Sequence, residues 1–287
     1  IKGVGATNAA ITVNNSDGSC TANLSNRQGK NLIINGGMTI AQRGVSSTTS
    51  GYATVDRFKL IHSGTDEAPT QAQVDVASGT TPYTLGFRKA FKVTNGNQTS
   101  GAGGGDYVYY QHKMEAQDIA NSGWNYTSSS SFITLSFWVK SSVAQNFYGY
   151  VRTHDFGTGS GAKMKYVYET GSLTANTWTK ITKTILGNSA LQIDNDVNNG
   201  FEITLAPFWG TTYTGSGISL NTWEAWDSAL RQPDSTTTWY TTNDATFEIT
   251  GVQLEVGNVA TDFEHRSFGQ ELALCQRYYY VHASGND

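Results

Sequence analysis

The sequence predicts an all-β protein: a jelly-roll β-sandwich with a short N-terminal β-hairpin extension. Three observations predict it. Short runs of alternating apolar and polar residues recur along the chain, turn residues separate them, and helical periodicity is nearly absent. The first thirty residues stand apart, so the expected organisation is an extension over 1–30 and a sandwich over 31–287. In the extension, Ala10 to Val13 and Thr21 to Leu24 flank Asn15-Ser16-Asp17-Gly18, whose Asp-Gly pair supplies the positive φ of a tight hairpin turn. A lone hairpin is marginal in water, so this segment is expected to dock or to trimerise.

The sandwich strands follow in order. Phe87 to Val93 ends at Asn95-Gly96, and Tyr107 to Tyr110 follows a run of glycines. Ile133, Leu135, Phe137 and Val139 alternate with Thr134, Ser136 and Trp138, which places Trp138 as packing within a strand. Phe147 to Val151, Met164 to Tyr168, the run around Trp178, Ile181 and Ile185, and Phe201 to Leu205 come next. Met114 to Ala120 and Glu271 to Arg277 are the two short helical candidates. The last strand, Phe247 to Gly257, changes phase at Gly251: Phe247 and Ile249 precede it on odd numbers, and Val252, Leu254 and Val256 follow on even ones. A one-residue slip in a strand that keeps one buried face requires a bulge, and Gly251 is its place.

Composition excludes several function classes. Apolar residues make up 38% of the 287 and charged residues only 15%, with Ser, Thr, Asn and Gly filling the difference. Aromatics at 12% argue against disorder. The net charge of −4 gives no basic surface for nucleic acid or an anionic membrane, and no apolar run is long enough to span a bilayer as a helix. Cys20 and Cys275 have no metal or redox spacing. They read as free, buried thiols, although a disulfide stays open, and they fit assembly in a reducing cytoplasm. A chain running from Ile1 to Asp287 without a starting Met reads as a piece of a longer polypeptide.

Three stretches carry a resemblance. Asn31-Leu32-Ile33-Ile34-Asn35-Gly36 leads to Gln42-Arg43-Gly44 and then to Tyr52-Ala53-Thr54-Val55-Asp56-Arg57-Phe58. Ser136-Phe137-Trp138-Val139-Lys140-Ser141 lies mid-chain. Gly251-Val252-Gln253-Leu254-Glu255-Val256-Gly257 is followed by Ala260 to Arg266 and by Glu271 to Tyr279. Over about residues 31–280 the chain resembles bacteriophage tail-fibre and virion-surface proteins with a jelly roll of the carbohydrate-binding type. The resemblance implies a virion location, a homotrimer, contacts with other virion proteins and a host-surface polysaccharide as partner. Asp56-Arg57 and Glu264-His265-Arg266 recur in it. Their physical reading is structural: arginine–carboxylate pairs that tie the first strand to the last.

Sugars are bound by aromatic faces with polar groups around them. The candidates are Trp209, Tyr213, Trp223, Trp226, Trp239 and Tyr240, in a stretch read largely as loop, with Trp124 and Tyr126 as a second group. The competing reading for each is packing under loops or at a subunit interface. Asp194, Asp196 and Asn198 open like an oxygen-rich calcium loop, but the glycine comes one position late and Leu205 stands where a bidentate Glu belongs. A polar turn competes, and no other cofactor is called for. Catalysis has little support: the histidines lack ligand spacing and no nucleophile elbow occurs. Glu224 with Asp227, and Asp66 with Glu67, are the only neighbouring carboxylate pairs near aromatics or loops. The expectation is therefore a non-enzymatic tail-fibre or spike subunit presenting a jelly roll to a host glycan. The alternatives are a head fibre, capsid decoration or tail adaptor with a structural role, and the carbohydrate-binding module of a depolymerase.

Overall fold

The computed structural model describes residues 11–13, 20–22, 29–155 and 163–282. In chain order the strands are β1 (Ile11–Val13), β2 (Cys20–Ala22), β3 (Ser46–Ser47), β4 (Phe58–Ser63), β5 (Thr70–Asp75), β6 (Lys89–Thr94), β7 (Tyr107–Glu115), β8 (Phe132–Ser141), β9 (Asn146–Thr153), β10 (Met164–Ser172), β11 (Thr179–Leu186), β12 (Asn199–Trp209), β13 (Trp223–Ala225) and β14 (Thr246–Val256). Four short helices accompany them: α1 (Thr81–Thr84), α2 (Ala116–Ala120), α3 (Thr238–Thr241) and α4 (Phe268–Gln276). Two six-stranded antiparallel sheets form a jelly-roll sandwich, in the orders β13-β10-β9-β12-β7-β4 and β11-β8-β14-β6-β5-β3. From β3 onward consecutive strands alternate between the two sheets except at β5–β6, β9–β10 and β12–β13, which stay in one sheet. In the extension β1 pairs with β2, Ile11 opposite Ala22 and Val13 opposite Cys20.

The inward residues are those the alternation marks. Ile133, Leu135, Phe137 and Val139 of β8, with Phe247, Ile249 and Leu254 of β14, meet Phe201, Ile203 and Leu205 of β12 and Val108 and Tyr110 of β7. Tyr110 Oη donates across the core to the Phe247 carbonyl at 2.7 Å, so its buried hydroxyl is satisfied. His112, on the same inward row, is not. Neither ring nitrogen makes a hydrogen bond of ordinary geometry, and its ring packs 4.7 Å from Phe58. Burial and the Arg57 charge hold its basicity well below the ordinary histidine value, a weak backbone contact at Arg57 only partly offsetting them. The folded state thus keeps His112 neutral, while the unfolded chain takes up a proton near the ordinary value. Stability is fully present above about pH 6.5 and falls as pH drops below it, by up to ~1.4 kcal/mol per pH unit. His62 and His154, also held low by burial, add to the slope. His112→Leu is expected to raise the melting temperature at pH 7 by several degrees, since an unpaired buried polar group costs ~1–3 kcal/mol. It should also flatten the decline between pH 6.5 and 5, read by thermal melts across that range.

The bulge falls where the phase slip places it. The β14–β8 register shifts between Thr250 and Gln253, and Gly251 has φ +63°. A Cβ there would lie 2.6 Å from the Phe87 ring. Its consequence differs from the half-buried strand that the pattern predicts. β14 is central, with both faces covered. Before the bulge it pairs with β6. After it, that side is taken by the opening segment: Leu32 N donates to Leu254 O and Val252 N to Gly36 O, both at 2.9 Å. The two outer motifs of the sequence therefore meet.

Their polar residues build the junction. Asn31 Oδ1 accepts from Ile33 N and Leu254 N at 3.0 and 3.1 Å. The Glu264 carboxylate accepts from Asn31 N at 2.7 Å. Arg266 donates to the carbonyls of Ile33 and Asn31 and pairs with Glu264 and Glu271 at 3.7 and 3.5 Å. Asp56 pairs with Arg43 at 3.4 Å, while Arg57 stacks 3.4 Å over the Tyr278 ring. Each of these arginine–carboxylate pairs lies within one segment, so the expected ion pair between the first strand and the last is not what joins them; Glu264 and Arg266 reach the opening segment through the backbone of Asn31 and Ile33, and Arg57 reaches the C-terminal segment through the Tyr278 ring. β4 starts at Phe58, directly after Arg57, whose φ of +70° is outside the extended range of a strand. The first helix candidate begins at Ala116, since β7 continues to Glu115. Cys275 is free and buried, its thiol pushed up to about 12 by burial; the Cys20 side chain lies outside the described residues.

Candidate functional site

The eight aromatic candidates separate into two groups, and neither offers a free face. Trp239 and Tyr240, on α3, are fully buried; Tyr240 stacks 4.2 Å from Phe208, and Trp239 Nε1 donates to Thr246 O at 3.1 Å. Trp223 packs edge-on against Tyr166 and Trp124 against Phe201. Tyr126 leans on Trp124 and donates to Ile193 O at 3.2 Å. These five serve the core, because α3 and β13 turn what reads as loop into packed structure.

Trp209, Tyr213 and Trp226 do gather, on the outer face of the β13–β4 sheet. Residues 211–235 fold back over that face, held by Arg231 N to Tyr213 O at 2.8 Å, Trp226 N to Lys163 O at 2.7 Å and Thr214 Oγ1 to Asp234 Oδ1 at 2.6 Å. The rings there are already stacked. Trp209 lies 4.5 Å from Tyr109, nearly parallel, and the Arg231 guanidinium sits 4.2 Å over Trp209 and 4.5 Å over Tyr213. Arg152 lies 4.1 Å over Trp226. Cation–π stacks of this kind stabilise the loop and leave those faces closed. Arg152 and Arg231 are invisible as partners in the sequence because their spacing to the rings is set by the tertiary fold.

An open aromatic face exists elsewhere, at a residue the alternation reads as packing. Trp138 stands on the outer face of the other sheet, opposite Lys180 of β11 and Thr250 of β14. It is half-buried, one side packing against the Val76, Phe87 and Ala90 cluster, and among the described residues no ring and no cation is stacked over it. The bulge shapes its surroundings. Phe87 fills the space beside Gly251, Phe263 packs edge-on 4.9 Å from Phe87, and the His265 ring lies 4.9 Å from Phe263. A ring nitrogen of His265 sits 2.9 Å from Leu85 O, fixing the wall. Between this wall, Trp138 and Lys180 lies a cleft of about 260 Å³, with Ser136, Thr261 and Asp262 also at its surface. An aromatic floor with an ammonium, a carboxylate and hydroxyls around it has the composition that holds a sugar ring.

The remaining sequence candidates are structural. Asp196 spends its carboxylate on Asn198 N, at 3.0 Å, and Nδ2, at 2.5 Å, and Asp194 N donates to Asp155 Oδ2 at 2.8 Å. The segment is thus held as a polar turn, and among the described residues no group of three His, Cys, Asp or Glu is placed to hold a metal. Asp66 caps Ser100, whose backbone and hydroxyl hydrogen bonds hold its carboxyl below the usual value. Glu67 accepts from Asn97 N at 2.7 Å, and Glu224 meets Lys165 at 3.2 Å. No helix among the described residues is long and apolar enough to cross a membrane.

Comparison with protein-family models and with curated protein sequences returns no match. Among solved structures, the enzymatically active domain of tailspike protein 4 of bacteriophage CBA120 is similar at 12% identity and a TM-score of 0.40, over 79% of this chain and 21% of that one. This chain thus spans about a fifth of the tailspike's length. A tandem pair of family 22 carbohydrate-binding modules from Paenibacillus barcinonensis matches at 12% identity and TM-score 0.38, over 81% and 51% of the two chains. A family 11 carbohydrate-binding module from Clostridium thermocellum matches at 12% and 0.31, over 77% and 98%. At these identities and scores the matches carry no argument about what the chain does.

Proposed function

We propose that the chain is a glycan-binding jelly roll of a bacteriophage virion, a non-enzymatic tail-fibre or spike subunit that docks a host-surface polysaccharide in the Trp138 cleft. The observation that carries the glycan reading is the unstacked indole of Trp138 in a cleft with Lys180, Asp262 and His265 at its rim. The virion assignment rests on the opening and closing motifs, which meet in one junction along β14. Trp138 stacks on the C–H face of a pyranose, and the rim groups bond its hydroxyls. A single such contact is weak; several copies in a trimer raise the effective concentration and give adhesion. The test is a glycan array and a host-cell adsorption assay with the purified assembly, whose mass is measured alongside. Selective retention on a neutral or acidic glycan supports the reading. An assembly that binds no glycan and no cell supports instead a structural head-fibre, decoration or adaptor role, and polysaccharide cleavage by the chain supports the depolymerase alternative.

A further inference from the structure

The opening and closing segments also meet around a cavity of about 290 Å³. Arg43, Tyr52, Asp56 and Arg57 line it from the opening segment, and Tyr278 and Tyr279 from the chain after α4. None of these residues lines the Trp138 cleft. Each guanidinium is fixed by a ring: Arg57 Cζ lies 3.4 Å over Tyr278, and Arg43 Cζ lies 3.5 Å over Tyr279. Stacking occupies the face of a guanidinium and leaves the N–H groups of its edge to bond elsewhere.

The two edges are used unequally. Arg43 Nη1 donates to Asp56 Oδ1 at 3.4 Å. Arg57 has no carboxylate in ion-pair distance among the described residues. Its Nη2 donates to the Lys113 carbonyl at 2.5 Å, and its Nε is buried without a hydrogen-bond partner. Only 8% of Arg57 is exposed. A cation buried this far without a counter-charge is costly. Its backbone is strained as well, with φ +70° at a residue other than glycine.

The lining carries an excess of one positive charge, two arginines against Asp56. The Asp56 carboxylate is already occupied, since it also accepts from Gln42 N at 3.2 Å and from Gln42 Nε2. Burial raises the Tyr52 hydroxyl above its ordinary value, and the charges acting on it are led by Arg57 and Arg43, ahead of Glu202. The hydroxyl therefore stays protonated, and the local field favours an anion.

We propose that this cavity binds a small organic carboxylate, its oxygens on the edges of Arg57 and Arg43 and its body in the remaining volume beside Tyr52. The charge argues for a monoanion, because a carboxylate balances the excess and a phosphate dianion overshoots it. The volume argues for a ring-sized acid: it is more than a bare ion fills and lies at the low end of small-molecule pockets. The lining comes from both ends of the sandwich, so occupancy also fastens the closing segment to the opening one. The cavity is separate from the Trp138 cleft, and its failure leaves that reading standing.

The test is thermal melting and isothermal titration of the full chain with benzoate and glucuronate, each beside its neutral amide, and with phosphate, all at constant ionic strength in chloride. Expected is a saturable rise in melting temperature of several degrees with at least one acid and none with its amide, since a ligand of the folded state stabilises it by mass action. A stronger response to benzoate assigns an aromatic acid, and a stronger response to glucuronate a sugar acid. Arg57→Gln should weaken binding roughly tenfold or more. Arg43→Gln, at a partly exposed side chain, should do the same and decides the matter if the buried Arg57 variant fails to fold. Arg88→Gln is the control: its guanidinium is likewise stacked on a tyrosine, 4.0 Å over Tyr83, but lies outside this cavity, and binding should match the wild type. No saturable response to either acid, equal responses to acid and amide, tighter binding of phosphate than of both acids, or unchanged affinity in Arg43→Gln or in a folded Arg57→Gln would each overturn the inference.

Discussion

Gly36→Ala is expected to be the most damaging single substitution outside the core. A Cβ at Gly36 would stand 2.0 Å from the Val252 carbonyl oxygen, a backbone atom in the β14 bulge that also accepts from Asn31 Nδ2 at 3.2 Å, so the clash cannot be relieved by turning a side chain. The opening segment would have to lift from β14. That move breaks the Leu32–Leu254 and Val252–Gly36 hydrogen bonds and uncouples Asn31 from Leu254, Glu264 and Arg266. Each buried group left unpaired costs ~1–3 kcal/mol, so a loss of ~3 kcal/mol or more is expected, or roughly 10 °C in melting temperature at this chain length. Gly37→Ala is the control: its Cβ would make only ordinary contacts, with the Phe263 ring edge at 3.8 Å and the Thr39 methyl at 3.9 Å, and melting should stay within about 2 °C. Equal melting of the two variants would show that the junction does not hold the sandwich shut.

The second large effect is on recognition. Trp138→Ala should remove the aromatic floor of the cleft and weaken glycan binding by ~2 kcal/mol, roughly thirtyfold, as for a central aromatic anchor. Stability should fall by less than for a full core truncation, since Trp138 is half-exposed, although it packs against the Val76, Phe87 and Ala90 cluster. Trp239→Ala should behave in the opposite way. Its fully buried side chain makes it a core truncation costing ~3–5 kcal/mol, and any protein that still folds should keep its glycan affinity. Isothermal titration with the glycan found on the array separates the two. Loss of affinity with Trp239→Ala at full folding, and none with Trp138→Ala, would relocate the site to the 208–240 region.

Much of the fold is legible in the sequence because strand alternation is a local signal. The rows of β8, β12 and β14 point as their patterns indicate, and the Gly251 bulge falls where the phase slips. The short β3 and β5 and the three-residue β13 are missed because Ser46–Ser47, Thr70–Asp75 and Trp223–Ala225 carry too little apolar alternation to announce themselves. The central placement of β14 is also not legible, because Thr134, Ser136, Gln253 and Glu255 look like a solvent-facing row. They are buried under the opening and 261–264 segments, which satisfy them through contacts such as Thr261 N to Glu255 Oε1 at 2.9 Å. The surroundings of the candidate aromatics are not legible for a related reason. Ring content marks residues 208–240, but whether a ring has a free face depends on tertiary partners. Arg231 and Arg152 stack on Trp209, Tyr213 and Trp226, while Trp138 packs against the Val76, Phe87 and Ala90 cluster with no cation or ring stacked over it among the described residues.

The most direct measurement is a glycan titration followed through the indole N–H resonances of the chain, with the Trp138 signal assigned by its loss in Trp138→Phe. Expected is a saturable shift of the Trp138 signal, with the buried Trp239 and Trp124 signals unmoved. A titration in which Trp138 stays fixed while Trp209 or Trp226 shifts, or in which no indole responds to a glycan that the assembly retains, would contradict glycan binding at the Trp138 cleft.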